Sequence, residues 1–401
     1  MIEQKLKKTI CLAISESAGQ VEWKNLSSQD WRKLIEIAQS HRLGPLLFWS
    51  VKNANQSTRN QIPGDVNGQL LLMYVQSTRR NLNLFRESAR FLDLLDQQNI
   101  MTIVLKGTSL ANTVYEDNGL RPMTDIDLLI PEENLCAAVD MAKSLGYYDP
   151  FPEAGPGLKK ILSHHVYLIK ENQSPVQMEL HHTLLGGGAF RFSVPVDWFF
   201  TQVEPFRFQY QDKNQKQLKD EYRNVFKLNP AAQLLFLTAH ITLQHGLNAS
   251  PLIWFYDLDR ICRIEADRIN WNLLLEKAGE FHWDSSLYTA LGRTQQIFST
   301  PIPEGFLRQF DRKIENGYSA IITSKANSSR TRMQAEWRKI FTLNWTGRLR
   351  LILALILPSP AYMRNRYGIA KSWQLPFFYL YRWGFIFLEV FRTILLRFQK
   401  K

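Results

Sequence analysis

The stretch 103–130, IVLKGTSLANTVYEDNGLRPMTDIDLLI, constrains the fold more than any other part of the chain. Ile103-Val104-Leu105 is a short apolar run that ends in Lys106-Gly107-Thr108-Ser109. Ile126 to Ile130 is a second such run, with Asp125 and Asp127 at its start. Short apolar runs bounded by turn residues read as buried strands. Between them, Leu110, Ala111, Val114 and Tyr115 recur at helical spacing, and Asp117-Asn118-Gly119 is a strong turn signal. The order is therefore strand, small-residue turn, short helix, strand.

That order has chemical content. Residues i and i+2 of a strand project from one face, so Asp125 and Asp127 converge. Converging carboxylates suit a hard cation such as Mg²⁺, which takes one or two carboxylates together with phosphate oxygens. Gly107 at a strand-to-helix turn lets a phosphate approach the helix N–H groups, and the Thr108 and Ser109 hydroxyls add donors. The plainer readings are a capped turn and two solvated acids at a strand end. The chain has neither G-x-x-x-x-G-K-[ST] nor G-x-G-x-x-G, so a P-loop and a dinucleotide fold are not indicated.

The flanking sequence supplies the scaffold. Residues 1–60 read as helices, with Ser28 or Asp30 as a cap before Trp31, Leu34 and Ile35. Over 66–98 apolar residues recur at three- and four-residue spacing, which predicts a long helix leading into the strand at 101–105. Pro131-Glu132-Glu133 opens a further helix that stops at Gly146. Two period-2 segments, His165–Ile169 and Val176–His181, flank Glu171–Pro175 and predict a β-hairpin. Glu179 lies in its second strand, where a third carboxylate would complete a two-metal arrangement; alone it reads as an exposed strand residue. Residues 195–220 are weakly patterned. From Asn229-Pro230 helices follow over 230–246, 250–265, 268–279, 284–298 and 304–325, and 326–335 reads as a polar linker.

Histidines are numerous near these segments. His164, His165, His181 and His182 border the hairpin, and adjacent strand residues face opposite ways, so at most one of each pair is expected to reach the site, and a structural or surface role is the plainer reading. His240 and His245 are five apart, a poor spacing for one face of an α-helix. Trp254 and Asp257 either line an acceptor pocket or are a core Trp and a helix-surface Asp.

Charge is unevenly placed along the 401 residues, whose net charge is +12. From Arg330 to the end there are fourteen Lys/Arg against two acids, so the whole surplus sits in that tail. It suits an anionic partner, RNA or a membrane surface, or is a solvated helical face. Leu349–Leu357 is too short to span a bilayer, and 376–398 carries Arg382, Glu389, Arg392 and Arg397, so no transmembrane segment is expected. That second piece suits a packing helix or an interfacial membrane helix. The three cysteines form no metal spacing or disulfide framework, and the N-terminus is too polar for a signal peptide. A cytoplasmic protein is expected, with peripheral membrane contact as an alternative.

Leu105-Lys106-Gly107, Arg121-Pro122, Asp125-Ile126-Asp127-Leu128 and Met178-Glu179-Leu180-His181 together resemble the nucleotidyltransferase superfamily of DNA polymerase β-like fold. More narrowly they resemble an uncharacterised bacterial nucleotidyltransferase family, and also toxin nucleotidyltransferases. Thr108 stands where many members have Gly or Ser. The resemblance implies an α+β protein: a small mixed β-sheet core with flanking helices, then a mostly helical C-terminal region. The expected divisions are a helical 1–65, a core at 66–220, a helical 221–328 and a basic tail at 329–401. It implies an enzyme that moves a nucleoside monophosphate from an NTP to an unidentified acceptor hydroxyl or phosphate. Asp125, Asp127 and Glu179 would be catalytic and bind Mg²⁺, with Mn²⁺ as alternative. Lys106, Gly107, Thr108, Ser109 and Arg121 would hold the nucleotide; the alternative for Lys106 and Arg121 is pairing with the acids. The alternatives are a toxin-like transferase acting on tRNA and an inactive nucleotide-binding scaffold.

Overall fold

The computed structural model describes residues 2–16, 18–150, 164–171, 174–185, 195–208, 222–310, 357, 360–369 and 371–385. The glycine run at 186–188, the linker at 326–335, most of the tail and the second half of the apolar piece at 376–398 lie outside them. Among the described residues no helix is long and apolar enough to cross a membrane.

Six strands form one mixed sheet: β1 (Thr102–Val104), β2 (Ile126–Leu129), β3 (His165–Lys170), β4 (Val176–His181), β5 (Val203–Pro205) and β6 (Val225–Leu228). Their order across the sheet is β3-β4-β2-β1-β6-β5. β2 pairs antiparallel with β1 and parallel with β4, and β1 pairs parallel with β6. The expected hairpin forms, β3 lying antiparallel to β4. β5 and β6 come from a stretch with too few alternating residues to announce strands.

Strand alternation divides the core in two. Ile126, Leu128, Met178 and Leu180 pack on one face against Leu84, Phe85, Leu92 and Val139. Ile103, Leu105 and Leu129, on the other face, join the N-terminal helices and the helices beyond residue 230. Asp127 shares that second face by its i+2 relation to Leu129, and Glu179 is the register partner of Asp127.

The Gly64–Gln97 helix carries the polar groups that hold the sheet in place. Asn81 donates to the Arg121 carbonyl at 2.8 Å and accepts from the Met123 N–H at 3.1 Å. Arg80 donates to the carbonyls of Met123 and Thr124 at 2.9 and 2.7 Å, fixing the chain just before Asp125. Buried Glu87 pairs with Lys170 at 2.8 Å, and Asn83 donates to the Ser174 carbonyl at 3.2 Å. These contacts dock the hairpin beside β2.

Local chemistry sets the helix ends. Ser27, one residue earlier than expected, caps Ser28–Ser40 in a reciprocal box with Asp30, which gives both orphan N–H groups a partner. The Asn229 side chain caps Pro230–Ala239. That helix continues as a π-helix over His240–His245 instead of an α-helix. Helices follow at Leu252–Ile264, Trp271–Glu280 and Asp284–Phe298, and 304–325 holds a 3₁₀ turn at Leu307–Phe310 within its described part.

One buried ion pair ties the sheet to the helical region. Arg121 donates to Asp257 through Nε and Nη2, both at 2.8 Å, and the Tyr115 hydroxyl donates to the same carboxylate at 2.7 Å. Asp257 is 1% exposed, so it is neither a surface acid nor a pocket lining. Removing one partner leaves an uncompensated buried charge, which costs about 3–5 kcal/mol. Asp257→Ala is expected to lower the unfolding free energy by about that amount in urea titration. A loss below about 1 kcal/mol would show that the pair is not a structural tie.

Candidate functional site

The site begins where β1 ends. Lys106 has φ +42°, the left-handed region, and starts the Lys106–Thr113 helix. A non-glycine residue there costs on the order of 1 kcal/mol. From this position its Nζ reaches Asp127 Oδ1 at 2.7 Å and Glu179 Oε2 at 3.8 Å. Asp127 and Glu179 come together because β2 and β4 pair in parallel register. Asp125, one strand repeat earlier, lies close enough to feel Asp127, Lys106 and Glu179, and accepts from the Thr124 hydroxyl at 3.1 Å. Three expected acids and the expected lysine thus occupy one face of the sheet.

His181 completes the group. Its Nε2 lies 3.0 Å from Asp127 Oδ1 and 3.3 Å from Glu179 Oε2, and the ring is fully buried. Asp127, Glu179 and His181 offer ligand atoms close enough together to hold a metal ion. The signal was present in the sequence, since residues 179 and 181 share a strand face. The expectation that at most one of each histidine pair would reach the site fails for His164 and His165, which both lie beside His181. His164 precedes β3 and escapes its alternation, so His164 Nε2 and His165 Nδ1 meet at 3.0 Å.

Each charge is set by its neighbours. Burial opposes every ionised group here. At Asp127, Lys106 and the His181 hydrogen bond outweigh burial and hold the carboxyl below its usual range. At Glu179, the His181 hydrogen bond and Lys106 do the same more strongly. Burial and Lys106 pull His181 down, but hydrogen bonds to Asp127 and Glu179 win and raise it. Lys106 rises because Asp127 and Glu179 outweigh its burial. Asp125 is left without enough compensation; burial and then Asp127 push it up to about 6.

The other expected residues line the start of the Lys106–Thr113 helix. Its N-cap residue Leu105 makes no side-chain capping bond. The Thr108 and Ser109 hydroxyls are buried and have no hydrogen-bond partner among the described residues. A Cβ on Gly107 would stand 2.7 Å from Arg121 Nη1, so glycine here lets the guanidinium lie against the turn. Arg121 spends Nε and Nη2 on Asp257, not on the three site acids. Arg80, Asn81 and Glu87, which position the strands, carried no signal beyond polar letters inside an apolar helix.

His240 and His245 also meet, with Nε2 atoms 3.1 Å apart and both rings edge-on to Trp254. The π-helix makes five residues one turn, which the α-helical spacing argument did not allow for.

A family model described as an uncharacterised nucleotidyltransferase matches residues 27–299, more than half of the chain. No curated protein and no solved structure matches it.

The raised Asp125 fixes a pH dependence for the metal-free protein. The folded state holds that proton more tightly than the unfolded chain, whose carboxyl titrates near ~4. The resulting stability is fully present below that value and is lost as pH rises through about 6. Asp125→Asn mimics the protonated acid. In chelator-treated protein its stability relative to wild type should grow by on the order of 1 kcal/mol between pH ~5 and ~7.5. A pH-independent difference in urea unfolding would contradict this.

Proposed function

We propose, from the premise that the chain belongs to the uncharacterised nucleotidyltransferase family, that it transfers a nucleoside monophosphate from an NTP to an acceptor hydroxyl or phosphate. Pyrophosphate is the leaving product. The observation that carries this reading is the register pairing of Asp127 with Glu179 beside Lys106.

The donor set fits a divalent cation. The Lys106 ammonium already lies within 4 Å of both carboxylates, in the position of a counter-charge. Asp125, Asp127 and Glu179 would hold the ion, Mg²⁺ by its preference for oxygen ligands, with Mn²⁺ as the alternative. Such an ion would neutralise phosphate charge and fix the geometry of an in-line displacement.

The chain's own groups supply the rest. The free first-turn N–H groups after Leu105 and the Thr108 and Ser109 hydroxyls are donors for phosphate oxygens. Arg121 brings a positive charge to the same turn, held rigid by Asp257. Lys106 keeps Asp127 and Glu179 ionised, which preserves them as ligands. Burial of the site face lowers the local dielectric and strengthens each of these interactions.

The test is incubation with labelled NTPs and Mg²⁺ across a panel of hydroxyl and phosphate acceptors, RNA ends included. Wild type should release pyrophosphate and label an acceptor only with a divalent cation. Asp125→Ala with Asp127→Ala should reduce the rate by more than ~100-fold with the fold intact by circular dichroism. Metal-dependent nucleotide binding with no transfer to any acceptor would support the inactive scaffold instead.

A further inference from the structure

Three imidazoles converge beside the acid pair. His164 Nε2 lies 3.0 Å from His165 Nδ1, and the His181 ring centroid is 5.3 and 5.2 Å from theirs. One ligand atom from each lies within 4.8 Å of the others. Backbone geometry causes the convergence. His165 and His181 are register partners in the antiparallel pair, so their rings share one face. His164 is held at the strand end because its carbonyl accepts the N–H groups of His182 and Thr183.

The cluster has the chemistry of a metal site. His164 Nε2 and His165 Nδ1 face each other across 3.0 Å, and His165 Nδ1 also lies 3.7 Å from Glu179 Oε2. Neutral imidazole is the ligand that borderline dications prefer. Two nitrogens on one tetrahedral zinc, with bonds near ~2.05 Å, stand about 3.3 Å apart, close to the observed approach. His181 contributes the third ring. Its Nε2 is engaged by Asp127 and Glu179, and its Nδ1 is buried with no hydrogen-bond partner among the described residues. A ring nitrogen fixed by a carboxylate is the usual second contact of a metal-bound histidine. The Asp127 and Glu179 carboxylates against the histidines supply negative charge that a dication needs.

We propose that His164, His165 and His181 bind a borderline transition-metal dication, with zinc as the test ion. This site adjoins the oxygen-ligated cation of the proposed reaction, since His181 contacts Asp127 and Glu179 and His165 lies 3.7 Å from Glu179, but it differs in its nitrogen ligands and does not rest on nucleotidyl transfer.

Untagged full-length protein, stripped with chelator, is titrated with zinc against a chromophoric competitor. One ion per chain should bind with Kd at or below about 1 μM. His164→Gln and His165→Gln should each weaken binding at least ~10-fold. His245→Gln, which breaks the other histidine pair, and Asp125→Asn should each stay within about threefold of wild type. No bound ion, binding unchanged in the His164 and His165 variants, or loss in His245→Gln or Asp125→Asn would overturn the assignment. Wild-type protein loaded with cobalt(II) gives a reading that no variant can confound. Intense visible bands of a four-coordinate site support the proposal, and the weak bands of a six-coordinate oxygen site refute it.

Discussion

Three carboxylates share one buried sheet face, and the Lys106 ammonium is what makes that arrangement stable. Two like charges about 4 Å apart at an effective dielectric of ~20 repel by roughly 4 kcal/mol, a large part of a typical domain's stability. Lys106 offsets this by sitting 2.7 Å from Asp127 and 3.8 Å from Glu179. His181 offsets more of it through the same two carboxylates. The compensation is uneven. Asp127 and Glu179 are held ionised while Asp125 is pushed towards neutrality. The metal-free face therefore carries unspent negative charge, and a cation is the natural remedy.

Holding that face together is the task of the surrounding framework. The carboxylates meet because β2 and β4 pair in parallel, and parallel neighbours need a long crossover that cannot by itself fix register. Register is pinned from the Gly64–Gln97 helix instead. Arg80 and Asn81 grip the chain entering β2, and Glu87 and Asn83 grip the hairpin that carries β4. A slip of one residue would turn Glu179 to the apolar face occupied by Met178 and Leu180.

Much of this was legible in the residues, and the failures have physical causes. The pair Asp125/Asp127 and the alternation around Glu179 are short-range patterns, so spacing alone aimed them correctly along their own strands. That the two strands would be neighbours is a long-range fact that periodicity does not encode. The short strands β5 and β6 offered three and four residues, too few for an alternation to stand out. Asp257 reads in sequence as a pocket lining or a surface acid because its partner Arg121 is 136 positions away. His240 and His245 looked mismatched because an α-helical period was assumed where the chain forms a π-helix. His164 escaped its strand's alternation by lying one residue outside it.

Arg121 joins these observations. Its guanidinium reaches two places at once: Nε and Nη2 bind Asp257, while Nη1 rests against Gly107. Glycine at 107 therefore matters before any phosphate is considered, because a methyl group there would stand 2.7 Å from Nη1 and press on a guanidinium held by Asp257. The same contact links the turn to the helical region through Asp257 and Tyr115. A larger residue at 107 has to move the Arg121 guanidinium, a shift opposed by its two bonds to Asp257. The strand-turn-helix segment is thus coupled on one side to the acids through Lys106 and on the other to the helices through Arg121. Its geometry is fixed by two buried cation–aspartate pairs, Lys106 with Asp127 and Arg121 with Asp257, as well as by the turn sequence.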